Sequence, residues 1–141
     1  MTPKDNMKNI IFILVAALAL ISCDNSDDLN EIFQSRTWKL SFFQEGTTRS
    51  TAKEGYSIRF YESSFTANTP SGAAIIGYWQ ADNKKRTFKC SNIRVAEGNI
   101  NKDTTANKMK LFLERASSYN GDANWLQIRQ NNNVYMQFHN R

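Results

Sequence analysis

The sequence is poor in the residues from which most chemical sites are built. Its 141 residues include one histidine, two cysteines, two prolines and six glycines. General acid–base chemistry needs an oriented partner in a cleft, and His139 has no second histidine to work with. Zinc sites draw on sets of cysteine and histidine ligands, which two cysteines and one histidine do not supply. The scattered glycines form no phosphate-cradling loop, and no G-x-S-x-G elbow is present. Calcium loops need several spaced carboxylates; "GDAN" at Gly121 to Asn124 carries one. The expectation is a protein that is not an enzyme, with no catalytic residues, no metal and no cofactor.

Charge of one sign is also scarce. Lysine and arginine total 18 against 13 acids, a formal net charge of +5. Only Lys84-Lys85-Arg86 cluster, and they follow Asp82-Asn83, which reads as a solvated hairpin tip. No nucleic-acid reading motif accompanies them, so nucleic acid is not an expected partner.

Long apolar runs are absent too. The longest, Ile10 to Ile21, has twelve residues, well short of the ~20 that span a bilayer. It follows Lys8 and ends at Ser22-Cys23, the layout of a secretory signal peptide. Met7 is an alternative start, because the signal is complete from there. Leu20-Ile21-Ser22-Cys23 resembles the lipobox of bacterial lipoproteins. That resemblance implies removal of residues 1–22 and lipid attachment at Cys23, which holds the protein to a membrane. Stable anchoring takes two or more acyl chains. The competing use of Cys23 is a disulfide with Cys90, disfavoured for a cysteine at the end of a leader. With Cys23 lipidated, Cys90 reads as a small buried hydrophobe.

Residues 23–28 then form an acidic tether. Asp24-Asn25-Ser26-Asp27-Asp28 resembles the export tag of some surface lipoproteins, which implies an outer-membrane lipoprotein exposed at the cell surface. A periplasm-facing location is the alternative. Charged segments without apolar residues also serve as plain solvated spacers.

Residues 29–141 read as a single domain of ordinary size. Leu29, Ile32 and Phe33 share one face of a short helix that Asp28 can cap and Glu31 can support. Alternating runs follow, the signal of half-buried strands. Trp38, Leu40 and Phe42 are expected inward, then Tyr56, Ile58 and Phe60, then Phe65 and Ala67. "NTPSG" breaks the chain before the strand at 74–80. The strand at 87–93 points Phe88 and Cys90 inward. The runs at 125–130 and 134–139 flank Asn131-Asn132-Asn133, which reads as a hairpin because asparagine tolerates the left-handed region. Val134, Met136 and Phe138 face in. Residues 104–119 admit a strand through Met109, Leu111 and Leu113. They fit a helix better, with Met109, Phe112, Leu113, Ala116 and Tyr119 on one face, Thr104 or Thr105 as cap, and Asn120-Gly121 as terminator.

The fold class is therefore mainly β: a small antiparallel β-barrel with a short N-terminal helix and one inserted α-helix near 104–119. The order of "TWKL", "SIRF", Gly77-Tyr78-Trp79, a helix and "WLQI...NNNVYMQF" resembles the META-type fold and the small lipocalin-like lipoproteins. The stretch "SGAAIIG" departs from the META pattern's glycine-cysteine-asparagine element. The resemblance implies a non-enzymatic role and carries over no residue.

Aromatics are the one chemically informative surplus: nine Phe, five Tyr and three Trp. They supply the core of a small barrel, but not all can point inward. Tyr78 and Trp79 are adjacent, so one faces out; Phe43 and Tyr61 oppose their core neighbours. Exposed aromatics would mark a protein or glycan contact. The leading expectation is a monomeric, membrane-anchored, non-catalytic binding or accessory module for a protein or surface polymer. The alternative is a calyx-type carrier of a small hydrophobic ligand, since an eight-stranded barrel can hold one.

Overall fold

The computed structural model describes residues 29–34 and 36–140. Cys23, the leader, the acidic tether and Asp28 lie outside the described residues.

Among the described residues, nine antiparallel strands form one sheet. They are β1 (Thr37–Glu45), β2 (Thr48–Thr51), β3 (Ser57–Phe60), β4 (Ser64–Asn68), β5 (Ala74–Asp82), β6 (Thr87–Glu97), β7 (Ser118–Gly121), β8 (Trp125–Asn131) and β9 (Val134–His139). Neighbours in sequence pair by hairpins from β3 to β9, except across the helix between β6 and β7. β1 pairs with β9 along one edge. On its other edge it takes β3 at Thr37 to Lys39 and β2 at Phe42 to Glu45. The hydrogen bonding thus runs round in a ring, with β2 a short flap outside it. The weakest seam joins β6 to β7 at Thr87 and Ser118.

Among the described residues, two helices pack against the core. α1 (residues 29–33) buries Ile32 and Phe33, while Leu29 packs at the margin. Phe33 sits among Phe60, Trp79, Phe88 and Tyr119, with centroids 5.1, 4.8, 5.5 and 5.0 Å away. Trp38 Nε1 donates to the Ile32 carbonyl at 2.8 Å, which satisfies the one polar atom of a fully buried indole. α2 (Thr104–Glu114) packs on β6, β8 and β9 and buries Ala106, Met109, Phe112 and Leu113. Phe112 meets Phe43 edge-on at 5.1 Å.

Sequence periodicity fails where the strands bulge. In β1 the register with β9 shifts between Leu40 and Phe42, so Phe43, not Phe42, is the next buried residue. The extra residue reverses the alternation. Phe42 lies half-buried on the outside, under the Arg49 guanidinium at 3.9 Å. In β6 the pairing shifts opposite Ile76 to Tyr78, with Asn92 at φ 51°.

The inserted helix is shorter than the pattern predicts. Its N-cap is Asp103, whose Oδ1 accepts from the Ala106 N–H, not Thr104 or Thr105. Its C-cap is Arg115, so residues 115–119 are not helical. From Ser117 the chain pairs with β8, and Tyr119, opposite Ile128, is buried from strand β7. Pairing with a neighbour outweighs helix propensity there. The Asn131–Asn133 hairpin forms without a left-handed asparagine. The Asn131 side chain accepts from the Asn133 N–H at 2.8 Å instead, and a register shift beside Gln130 accommodates the turn.

Candidate binding face

Most residues singled out by chemistry have structural duties. Asp82 Oδ1 accepts from the N–H groups of Lys84 and Lys85, so the basic cluster is a turn. In "GDAN", Asp122 Oδ1 accepts from Asn124 and Trp125 N–H, another turn. Cys90 is buried, and burial pushes its thiol up to about 12. Among the described residues no group of three or more His, Cys, Asp and Glu could hold a metal ion. No described helix is long and apolar enough to cross a membrane.

His139 is exposed at the end of β9, opposite Lys39 of β1. With Lys39, Glu54, Leu40 and Tyr56 it lines an open cleft of about 560 Å³ where β2 and β3 part on the edge of β1. Tyr56 points elsewhere with its hydroxyl, donating to both Asp103 oxygens at 2.7 and 2.8 Å. Burial first, then the Asp103 hydrogen bond and charge, raises its pKa.

The aromatics divide more sharply. Trp79 turns inward and stacks on Phe88, while Tyr78 beside it is 47% exposed. Tyr61, just after β3, is 48% exposed. Its backbone is fixed twice: its N–H donates to the Ser64 carbonyl at 2.8 Å, and its carbonyl accepts from Trp79 Nε1 at 2.8 Å. A half-buried indole packed against the core therefore fixes the backbone of an exposed tyrosine.

Arginines accompany both tyrosines. Cross-strand register aligns Arg59, Thr66, Ile76 and Arg94 across β3, β4, β5 and β6. All lie on the outer face, since Ile58, Phe65, Ala67 and Ile75 beside them are buried. The next row is Ser64, Tyr78 and Ser91, followed by Gln80 and Lys89. Arg59 lies 5.8 Å from the Tyr61 ring centre, and both line a depression of about 200 Å³ with Gln34, Phe60 and Glu62. A second depression of about 200 Å³ lies between Tyr78 and Arg94, with Ser64, Thr66 and Ile76 in its walls. Alternation already places Arg59 outward in the sequence. Arg94 was beyond reach, because its partnership with Tyr78 depends on the β6 register shift.

The architecture is a mainly β domain: a hydrogen-bonded ring of antiparallel strands with two helices packed against its core, bearing an arginine–tyrosine face. The chain belongs to the family described as "Domain of unknown function (DUF4847)", which matches residues 24–140. It is also similar to a solved structure, a DUF4847 family protein from Bacteroides vulgatus ATCC 8482, with 24% identity and a TM-score of 0.63. That likeness covers 80% of this chain and 97% of the other, and it bears on the fold alone. A comparison with curated proteins finds no match.

Proposed function

We propose that this protein is a non-catalytic binding module, held on the outer membrane by lipid on Cys23, which contacts an external partner through the outer face of β3 to β6. The observation that carries the reading is the split among the aromatics. The interior is filled by Phe33, Trp38, Phe60, Phe65, Phe88 and Phe138, while Tyr61 and Tyr78 are left half-exposed beside two arginines. Exposed aromatics grouped with arginine are the usual makings of a contact surface. The barrel-like, lipocalin-like reading is supported by the closed ring of pairing. The anchor is supported by Leu20-Ile21-Ser22-Cys23, and the family match begins one residue later, at Asp24.

The carrier reading is supported less. Large side chains occupy the interior a ligand would need, and the cleft beside His139 is open to solvent. Native mass spectrometry of the purified protein separates the two: repeated co-purification of one small hydrophobic molecule would favour the carrier.

Two measurements test the anchor and its address. Labelled palmitate should enter the wild-type protein and not Cys23→Ala. Protease shaving should remove the domain from intact cells; protection until lysis would place it in the periplasm. Equal labelling of both proteins would contradict the anchor.

A further inference from the structure

We infer that the outer face of β3 to β6 binds an anionic polysaccharide, one that carries carboxylate or sulfate groups along its length. This rests on the binding-face reading above and names its occupant.

Three observations select that class. The first is repetition. Arg59 with Tyr61 and Arg94 with Tyr78 each border a depression of about 200 Å³, a volume comparable to a single sugar ring. Arg59 and Arg94 occupy one cross-strand row, three strand spacings apart, or about 14 Å at the backbone. Two like subsites at a fixed spacing suit a polymer with a repeating charge better than one small molecule.

The second is charge complementarity. Arg59, Arg94 and Lys89 stand on this face, and the intervening row positions are Thr66, Ile76, Ser64, Tyr78, Ser91 and Gln80. These central rows contain no acid; Glu62 stands beside Tyr61, and Glu97 and Asp82 close the same face in the rows beyond, opposite Ala74 and Thr87, so the basic groups are gathered at the centre of the face and not across all of it. Guanidinium groups bind carboxylate and sulfate oxygens in pairs of hydrogen bonds. The serine and threonine hydroxyls can serve sugar hydroxyls as donors or acceptors. A phenol ring offers an apolar face with a polar tip, which fits the C–H face of a pyranose.

The third is what the face does not offer a peptide. β3, β4 and β5 are each paired on both sides, so they present no edge for an added strand. The far edge of β6 is broken by its register shifts, a device that discourages strand addition. Both depressions are small and open, with polar and apolar side chains mixed in their walls, and neither is the deep apolar pocket a side-chain anchor requires.

The test is equilibrium binding of the purified full-length protein to polygalacturonate and to heparin, with neutral dextran as the uncharged control. Poly-glutamate, and anionic against zwitterionic vesicles, represent the acidic-protein and membrane alternatives. One anionic polysaccharide should bind, dextran should not, and affinity should fall as salt rises. Arg59→Gln with Arg94→Gln should weaken binding roughly tenfold or more, and Tyr78→Ala should weaken it several-fold. Lys110→Gln on α2 should leave it unchanged. Melting curves of each variant check that the fold is intact. Binding to poly-glutamate or anionic vesicles alone, lost in the double arginine variant, would overturn the polysaccharide and leave the face standing. Binding insensitive to the arginine and tyrosine variants, or no binding to any probe, would overturn both.

Discussion

Strands β3 to β6 carry aromatic side chains on their two faces with opposite fates. Inside, Phe60, Trp79 and Phe88 pack around Phe33 and Phe65 packs on Phe60, and four of these five rings are at most 1% exposed. Outside, Tyr78 and the adjoining Tyr61 are nearly half exposed and stand next to arginines. A single-residue step along β5, from Tyr78 to Trp79, moves an aromatic from the outer face to the inner one, where it packs against the core. The difference teaches that aromatic content alone says little. Phenylalanines fill the ring and contribute stability, whereas the outer tyrosines stay about half exposed and contribute a surface. Substitutions on the two faces should therefore separate stability from binding.

The largest expected effect is at the centre of the inner face. Phe33→Ala removes the ring that four aromatics surround, and such truncations cost about 3–5 kcal/mol. Denaturant unfolding of the variant should show it. A loss under about 1 kcal/mol would mean that α1 is an appendage and not part of the core.

The inner face should also be sensitive to alkali. Folded Cys90 keeps its proton to about 12, against an ordinary value of 9.0. The folded state therefore holds the proton more tightly, and stability falls as pH rises from about 9 towards about 12. Tyr56, also raised, adds to the fall above pH 10. Cys90→Ala should flatten the earlier part of the curve, read from melting temperature against pH. At neutral pH a maleimide should label Cys90 only after unfolding.

Gly77→Ala tests how closely the two faces are held together. A Cβ there would sit 2.7 Å from the Phe65 ring and 2.9 Å from the Ser91 carbonyl oxygen. The sheet cannot give easily at a backbone oxygen, so the expected loss is about 1–3 kcal/mol. The smallest effect belongs to the outer face: Tyr61→Ala and Tyr78→Ala should each change stability by roughly 0.5 kcal/mol or less. A larger loss at Tyr78 would show that it serves packing after all.

Much of this division can be read from the sequence. Alternation correctly places Tyr56, Ile58, Phe60, Phe65, Ala67, Phe88, Cys90, Met136 and Phe138 inside, because period two holds wherever a strand is regular. It fails at Phe42 and Phe43, where an added residue turns the strand over without any local composition signal. The end of α2 fails for another reason. Tyr119 lies at helical spacing from Met109 and Phe112, yet its burial comes from β7 pairing with β8, a contact with residues further along the chain. The binding face was half legible. Alternation turns Tyr61 outward and requires one of Tyr78 and Trp79 to follow without saying which, and the arginines beside these tyrosines are assembled by cross-strand register, which no single segment encodes.

The most direct test of the account maps the contact itself. Amide shifts of the labelled protein would be followed by NMR during titration with the polysaccharide it binds best. The account predicts changes confined to the outer rows of β3 to β6, around Tyr61, Thr66, Tyr78 and Arg94, with core amides such as Phe33 and Leu126 unmoved. Changes centred on the cleft of Leu40, Tyr56 and His139, or spread through the core, would contradict it.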